Sequence, residues 1–94
     1  MYCAVIMLKI PNANYDDLNQ SSMNAPEEMK GVKGFINAIY FSDKDKDEYG
    51  AIYVYDTKEN IDAHWETMPA ETKELVNKYG TRDIYYVNNA FPAQ

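Results

Sequence analysis

The chain alternates between short runs dense in β-branched and aromatic residues and longer stretches where apolar residues recur every three or four positions. The first pattern is that of strands and the second that of amphipathic helices. "YCAVIMLKI", Tyr2 to Ile10, predicts a first strand stopped by Pro11. Asn14, with Asp17 three residues on, offers a cap for a helix whose apolar positions Tyr15, Leu18, Ala25 and Met29 fit helical spacing loosely. Pro26 suits the first turn of a second short helix capped by Asn24, so this region reads as one kinked helix or two turns, ended by Gly31 and Gly34.

Phe35 to Phe41 and Ala51 to Tyr55 read as the two strands of a hairpin around the charged stretch "SDKDKDEYG". Asp56 with Glu59 is a further capping signal, and Ile61, Trp65 and Met68 follow at i, i+4 and i+7. Pro69 starts another helix with Thr72, Leu75, Val76 and Tyr79 on one face and Gly80 as its expected left-handed cap. Asp83 to Phe91 completes the series as a last strand. The order β-α-β-β-α-β, with the second helix in two pieces, predicts one ferredoxin-like α+β domain over residues 1–94. Its antiparallel four-stranded sheet would carry helices on one face.

Such a sheet alternates apolar and polar residues when its other face is wet. This one does not. Cys3 to Leu8 is apolar throughout, strand two sets Phe35, Ile39 and Phe41 against Ile36, Ala38 and Tyr40, and strand three sets Tyr53 and Tyr55 against Ile52 and Val54. The helices cover one face only, so the other is expected to pack against a second copy of the chain.

Composition narrows the partners. A net charge of −6 opposes a nucleic-acid backbone, which needs clustered Lys and Arg. The opening apolar run is far short of the roughly 20 residues of a membrane span, so a cytoplasmic protein without a membrane partner is the expectation. Cys3, the single cysteine, reads as a small core residue. Asp43, Asp45 and Asp47 alternate as in a calcium loop, yet the positions that need glycine and glutamate hold Glu48 and Val54. No metal is expected there; the stretch reads as a hairpin tip.

The segment "GFINAIYFSDKDKDEYGAIYVYDTKENIDAHWE" resembles the central signature of the dimeric α+β barrel superfamily, which includes the antibiotic-biosynthesis monooxygenases. Gly34-Phe35, the acidic hairpin, Glu48 to Tyr53 and the capped helix after them are most similar to the small YdhR-type candidate monooxygenases. The resemblance implies a homodimer with a mostly apolar pocket between sheet and helices. It also implies a cofactor-independent oxygenase whose substrate, a quinol or polycyclic phenol, itself supplies electrons to dioxygen. A protein doing this must bind a flat aromatic, stabilise its anion and exclude water.

Few residue types meet those needs. His64, the single histidine, is the first candidate general base, at the edge of the helical apolar face, with a surface or core histidine as the plain alternative. Trp65 beside it can stack on an aromatic ligand or simply pack. Tyr53 is a candidate catalytic hydroxyl, and Tyr55, Tyr40, Asn37 and Tyr86 are candidate substrate-binding groups on the strands. The same tyrosines suit a dimer interface equally well.

The haem-degrading branch resembles this chain at Trp65 but uses a first-strand asparagine and an iron-ligating histidine on the following helix. "CAVIMLK" and "PAETKELVNKY" have neither. An RNA-recognition module shares the element order, yet strand three lacks its basic residue and aromatic pair. Two readings remain: a cofactor-independent oxygenase, or a non-catalytic homodimer that binds a small apolar ligand.

Overall fold

The computed structural model describes residues 1–90. Strand β1 is Tyr2–Leu8, followed by helices α1, Tyr15–Ser22, and α2, Ala25–Glu28. The hairpin strands are β2, Phe35–Asp43, and β3, Glu48–Tyr55. Helices α3, Lys58–Thr67, and α4, Ala70–Tyr79, lead into β4, Gly80–Tyr86. The strands form one antiparallel sheet in the order β2-β3-β1-β4. This is the expected ferredoxin-like α+β fold, with β1 and β3 at its centre.

Local chemistry sets the element ends. The Asp43 carboxylate accepts from the backbone N–H groups of Asp45 and Lys46, and Asp47 takes a positive φ of 54°. The acidic stretch therefore closes as a tight turn over Lys44–Asp47, and β3 begins at Glu48, earlier than the sequence suggested. Helix α3 is capped by Thr57, whose hydroxyl accepts from Asn60 N–H. Asp56, the expected cap, instead accepts from the Asn60 amide and from Thr57 N–H.

Strand β4 starts three residues before the expected Asp83; Phe91, its expected end, lies outside the described residues. Gly80 is extended, with φ −158°, and not left-handed. Its lack of a side chain serves a close approach: a Cβ there would overlap the Met7 carbonyl oxygen of β1. Met7 and Leu8 face Thr81 and Gly80 in the ladder.

Alternation along the strands turns Ala4, Ala51 and Tyr55 toward the helices, where all three are buried. Ala4, Met29, Tyr55 and Ile61 form the core cluster, with Phe35, Tyr53 and Ile84 packed against it. A bulge in β2 sets Phe35 opposite Tyr55 but Asn37 opposite Val54. The extra residue reverses the side-chain parity, so Phe35 joins Ala38 and Tyr40 on the helix side, apart from Ile39 and Phe41. The opposite sheet face stays open and apolar: Ile39 is 57% exposed and Tyr85 55%. Among the described residues no helix is long and apolar enough to cross a membrane.

Candidate functional site

The central strand β3 sends Tyr53 and Tyr55 toward the helices, and α3 lays Ile61, His64, Trp65 and Met68 above them at helical spacing. Tyr55, only 3% exposed, has its hydroxyl 2.5 Å from His64 Nδ1. Burial, aided by Tyr40 and opposed by the Arg82 cation, pushes the Tyr55 phenol up to about 12. Burial pushes the His64 imidazole down. At neutral pH the pair is therefore a phenol donating to a neutral imidazole, which leaves the His64 proton on Nε2.

Tyr40 reaches Tyr53 from the neighbouring strand, with ring centroids 5.7 Å apart at 88°. Burial raises both phenols, most strongly Tyr53. The Tyr53 hydroxyl eases ionisation of Tyr40, while the Tyr40 hydroxyl hinders that of Tyr53. Both remain protonated at neutral pH, so each offers an O–H donor to an acceptor oxygen.

Arg82 enters the same interior from β4. Its guanidinium lies 4.5 Å from the Trp65 ring centre, a cation–π geometry, and 3.9 Å from the Asp62 carboxylate on the outer side. Its Nη2 is buried and has no hydrogen-bond partner among the described residues. Sequence reasoning missed this residue because it placed the last strand from Asp83 onward. Extending the strand to Gly80 gives Arg82 the parity of Ile84 and turns it inward.

Distinct spaces adjoin these groups. An apolar concavity of about 480 Å³ lies between α1–α2 and β2, walled by Met23, Pro26, Met29, Phe35, Ala38 and Tyr40. A small void of about 20 Å³ is bordered by Tyr53, Tyr55, His64, Trp65 and Arg82 among apolar neighbours. A surface groove of about 260 Å³ runs past Lys33, Asn60, His64 and Thr67. Tyr40, Tyr53, Tyr55, His64 and Trp65 are thus brought together, with Tyr40 alone of the five facing the large concavity. The structure does not bring Asn37 to them: the bulge pairs it with Val54, on the opposite sheet face. Tyr86 stacks edge-on against Tyr2 at the end of the sheet and is 61% exposed. Among the described residues no cluster of three or more His, Cys, Asp or Glu side chains is placed to hold a metal ion.

No protein-family sequence model and no curated protein sequence matches the chain. Solved structures do, over nearly its whole length. SnoaB, a cofactor-independent oxygenase from Streptomyces nogalater, is 13% identical with a TM-score of 0.71, covering 98% of this chain and 97% of its own. A candidate antibiotic biosynthesis monooxygenase from Deinococcus radiodurans is 13% identical with a TM-score of 0.70, covering 100% and 99%. A mutant of MhuD, solved with two manganese protoporphyrin IX molecules per active site, is 12% identical with a TM-score of 0.72, covering 99% and 100%. The chain has the ferredoxin-like fold of these antibiotic-biosynthesis-monooxygenase-like structures.

Proposed function

We propose that this protein binds a small flat aromatic, a quinol or polycyclic phenol, in the concavity between α1–α2 and β2 and oxygenates it without a cofactor. The observation that carries this reading is the concavity itself. Its wall is apolar apart from the Ser22 and Tyr40 side chains, and its volume of about 480 Å³ falls within the range of small-molecule sites. Tyr40 sits where a protonated donor can hold a phenolic oxygen as it gains charge, and Tyr53 backs it. Arg82, partly offset by Asp62 at 3.9 Å, adds positive charge deeper in the same interior, which favours an anion nearby over a neutral ligand.

In the proposed reaction the substrate loses a proton, and its anion passes electrons to dioxygen. One oxygen atom enters the product as a carbonyl and the other leaves as water, so RH2 and O2 give RO and H2O. The protein binds, orients and desolvates; the reducing electrons are the substrate's. The porphyrin of MhuD does not carry over. The one imidazole, His64, is engaged at Nδ1 by Tyr55 and does not line the concavity.

The open apolar sheet face supports a homodimer formed sheet to sheet, and with it a barrel. The test of function is oxygen uptake by metal-free protein against a panel of quinols and polycyclic phenols, with product mass recorded. Uptake that depends on folded protein and yields an oxygenated product is expected. Saturable binding with no uptake across the panel would leave a binding protein and refute the oxygenase.

A further inference from the structure

The proposed chemistry requires the ligand to lose a hydroxyl proton inside an apolar wall, and that wall provides no base. Of the residues around the concavity, Tyr40 is the one ionisable group, and it is already protonated. With a ligand filling the mouth of the concavity, a polar route through the core gives the proton its other way out. We propose that Tyr55 and His64 form the outer half of a proton relay, carrying the ligand's hydroxyl proton from Tyr40 and Tyr53 to the surface groove. The inference rests on the concavity being the ligand site.

The groups of the relay stand in sequence through the interior, and its outer link, Tyr55 to His64, is a direct hydrogen bond. Tyr40 and Tyr53 are in edge-on contact. Tyr53 and Tyr55, two residues apart on β3, both border the 20 Å³ void. That volume exceeds the roughly 10–15 Å³ that one water needs, and Tyr53, Tyr55 and Arg82 Nη2, which faces Asp62 at 3.9 Å without a hydrogen bond, supply the polar partners a water requires. Tyr55 then meets His64 Nδ1 at 2.5 Å. His64 borders both the void and the outer groove, so it is the one side chain with a ring nitrogen on the path between interior and surface. The remaining wall of the void is largely apolar, from Ala4, Ile6, Ile61 and Met68, and its other polar border is the Arg82–Asp62 ion pair, whose guanidinium stays charged and accepts no proton.

Transfer outward moves one proton per link. The ligand oxygen gives its proton to Tyr40, each hydroxyl and the intervening water takes one proton and passes one on, and Tyr55 gives its proton to His64 Nδ1. The imidazole releases its Nε2 proton to solvent in the groove, and ring rotation or solvent exchange restores the starting tautomer. The net change is one proton in solvent and one negative charge on the ligand. Charged groups around the path are Arg82 from β4, beside Tyr55, its ion-pair partner Asp62 on α3, and Lys33 at the groove. Arg82 repels a proton from the interior, Asp62 offsets part of that charge, and Lys33 at the exit favours passing the proton on to solvent over holding it on His64. Tyr55 and His64 are relay residues and touch no ligand.

The test uses 4-nitro-1-naphthol, whose anion absorbs visible light, bound to full-length protein and followed after a rapid pH step. Tyr55→Phe keeps the ring that packs edge-on against Phe35. His64→Ala opens the groove end. The expected result is that both variants bind the probe as the wild type does, but its ionisation relaxes at least tenfold more slowly. Added imidazole restores the rate in His64→Ala and not in Tyr55→Phe. Equal relaxation rates in all three proteins, with binding intact, would overturn the relay and leave the concavity as ligand site. Failure of the wild type to bind the probe or any phenol of the panel would overturn the site reading, and the relay with it.

Discussion

Tyr55 and His64 shift in opposite directions, so they contribute at opposite edges of a stability plateau, Tyr55 together with the raised phenols of Tyr53 and Tyr40. His64 is held below its ordinary 6.5, so the unfolded chain takes up its proton first. Stability is full above about pH 6.5 and falls as pH drops from there toward the lower folded value. Tyr55 keeps its proton in the fold up to about 12, against an ordinary 10.0. That contribution is full below pH 10.0 and is lost as pH rises through about 12. Urea midpoints measured across pH should therefore lose their fall just below pH 6.5 in His64→Gln while keeping the alkaline fall. At the ligand, Tyr40→Phe removes one neutral hydrogen bond, worth about 1 kcal/mol or roughly five- to tenfold in Kd. Titration should show that loss with a polycyclic phenol and little change with its hydroxyl-free analogue.

At the level of elements, much was legible because the hydrophobic periods are strong. Four strands, the split second helix and the helical face of Ile61, Trp65 and Met68 all follow from spacing. Parity across the β2 bulge was not legible, since one extra residue moves Phe35 to the helix side and leaves Asn37 opposite it. The signal for Gly80 was misread in an instructive way. A glycine after a helix suggests a left-handed cap, whereas here the chain enters β4 at once and needs room beside Met7. Gly80→Ala should therefore lower stability by about 1–3 kcal/mol or more through backbone overlap, measurable by urea unfolding. The walls of the large concavity come from α1–α2, the region whose helical pattern was weakest. Its Met23, Pro26 and Met29 look unremarkable in sequence because a cavity is made by what the segment fails to fill.

For the whole molecule, the two apolar sheet faces were readable from strands in which every position is apolar. Which face carries the site was not readable, because tyrosines suit an interface and a pocket alike. The structure assigns Tyr40, Tyr53 and Tyr55 to the helix side and leaves Ile39, Phe41 and Tyr85 exposed on the other. Water against that many apolar side chains is unfavourable, and a second copy packed on that face would remove it. Sedimentation should give twice the chain mass of 10.8 kDa for the wild type. Ile39→Asp, which would bury a carboxylate in the interface, should shift the protein to the single-chain mass and lower its melting temperature.

The proposed function joins a place to a reaction: dioxygen would oxygenate an aromatic held in the concavity beside Tyr40. Its most direct test is turnover under isotopically heavy dioxygen, comparing the metal-free wild type with Ala38→Trp, whose indole fills the concavity. The wild type should place one heavy oxygen atom in each product molecule, and the variant none above background. Equal incorporation by both proteins would contradict it, as would product oxygen drawn from water.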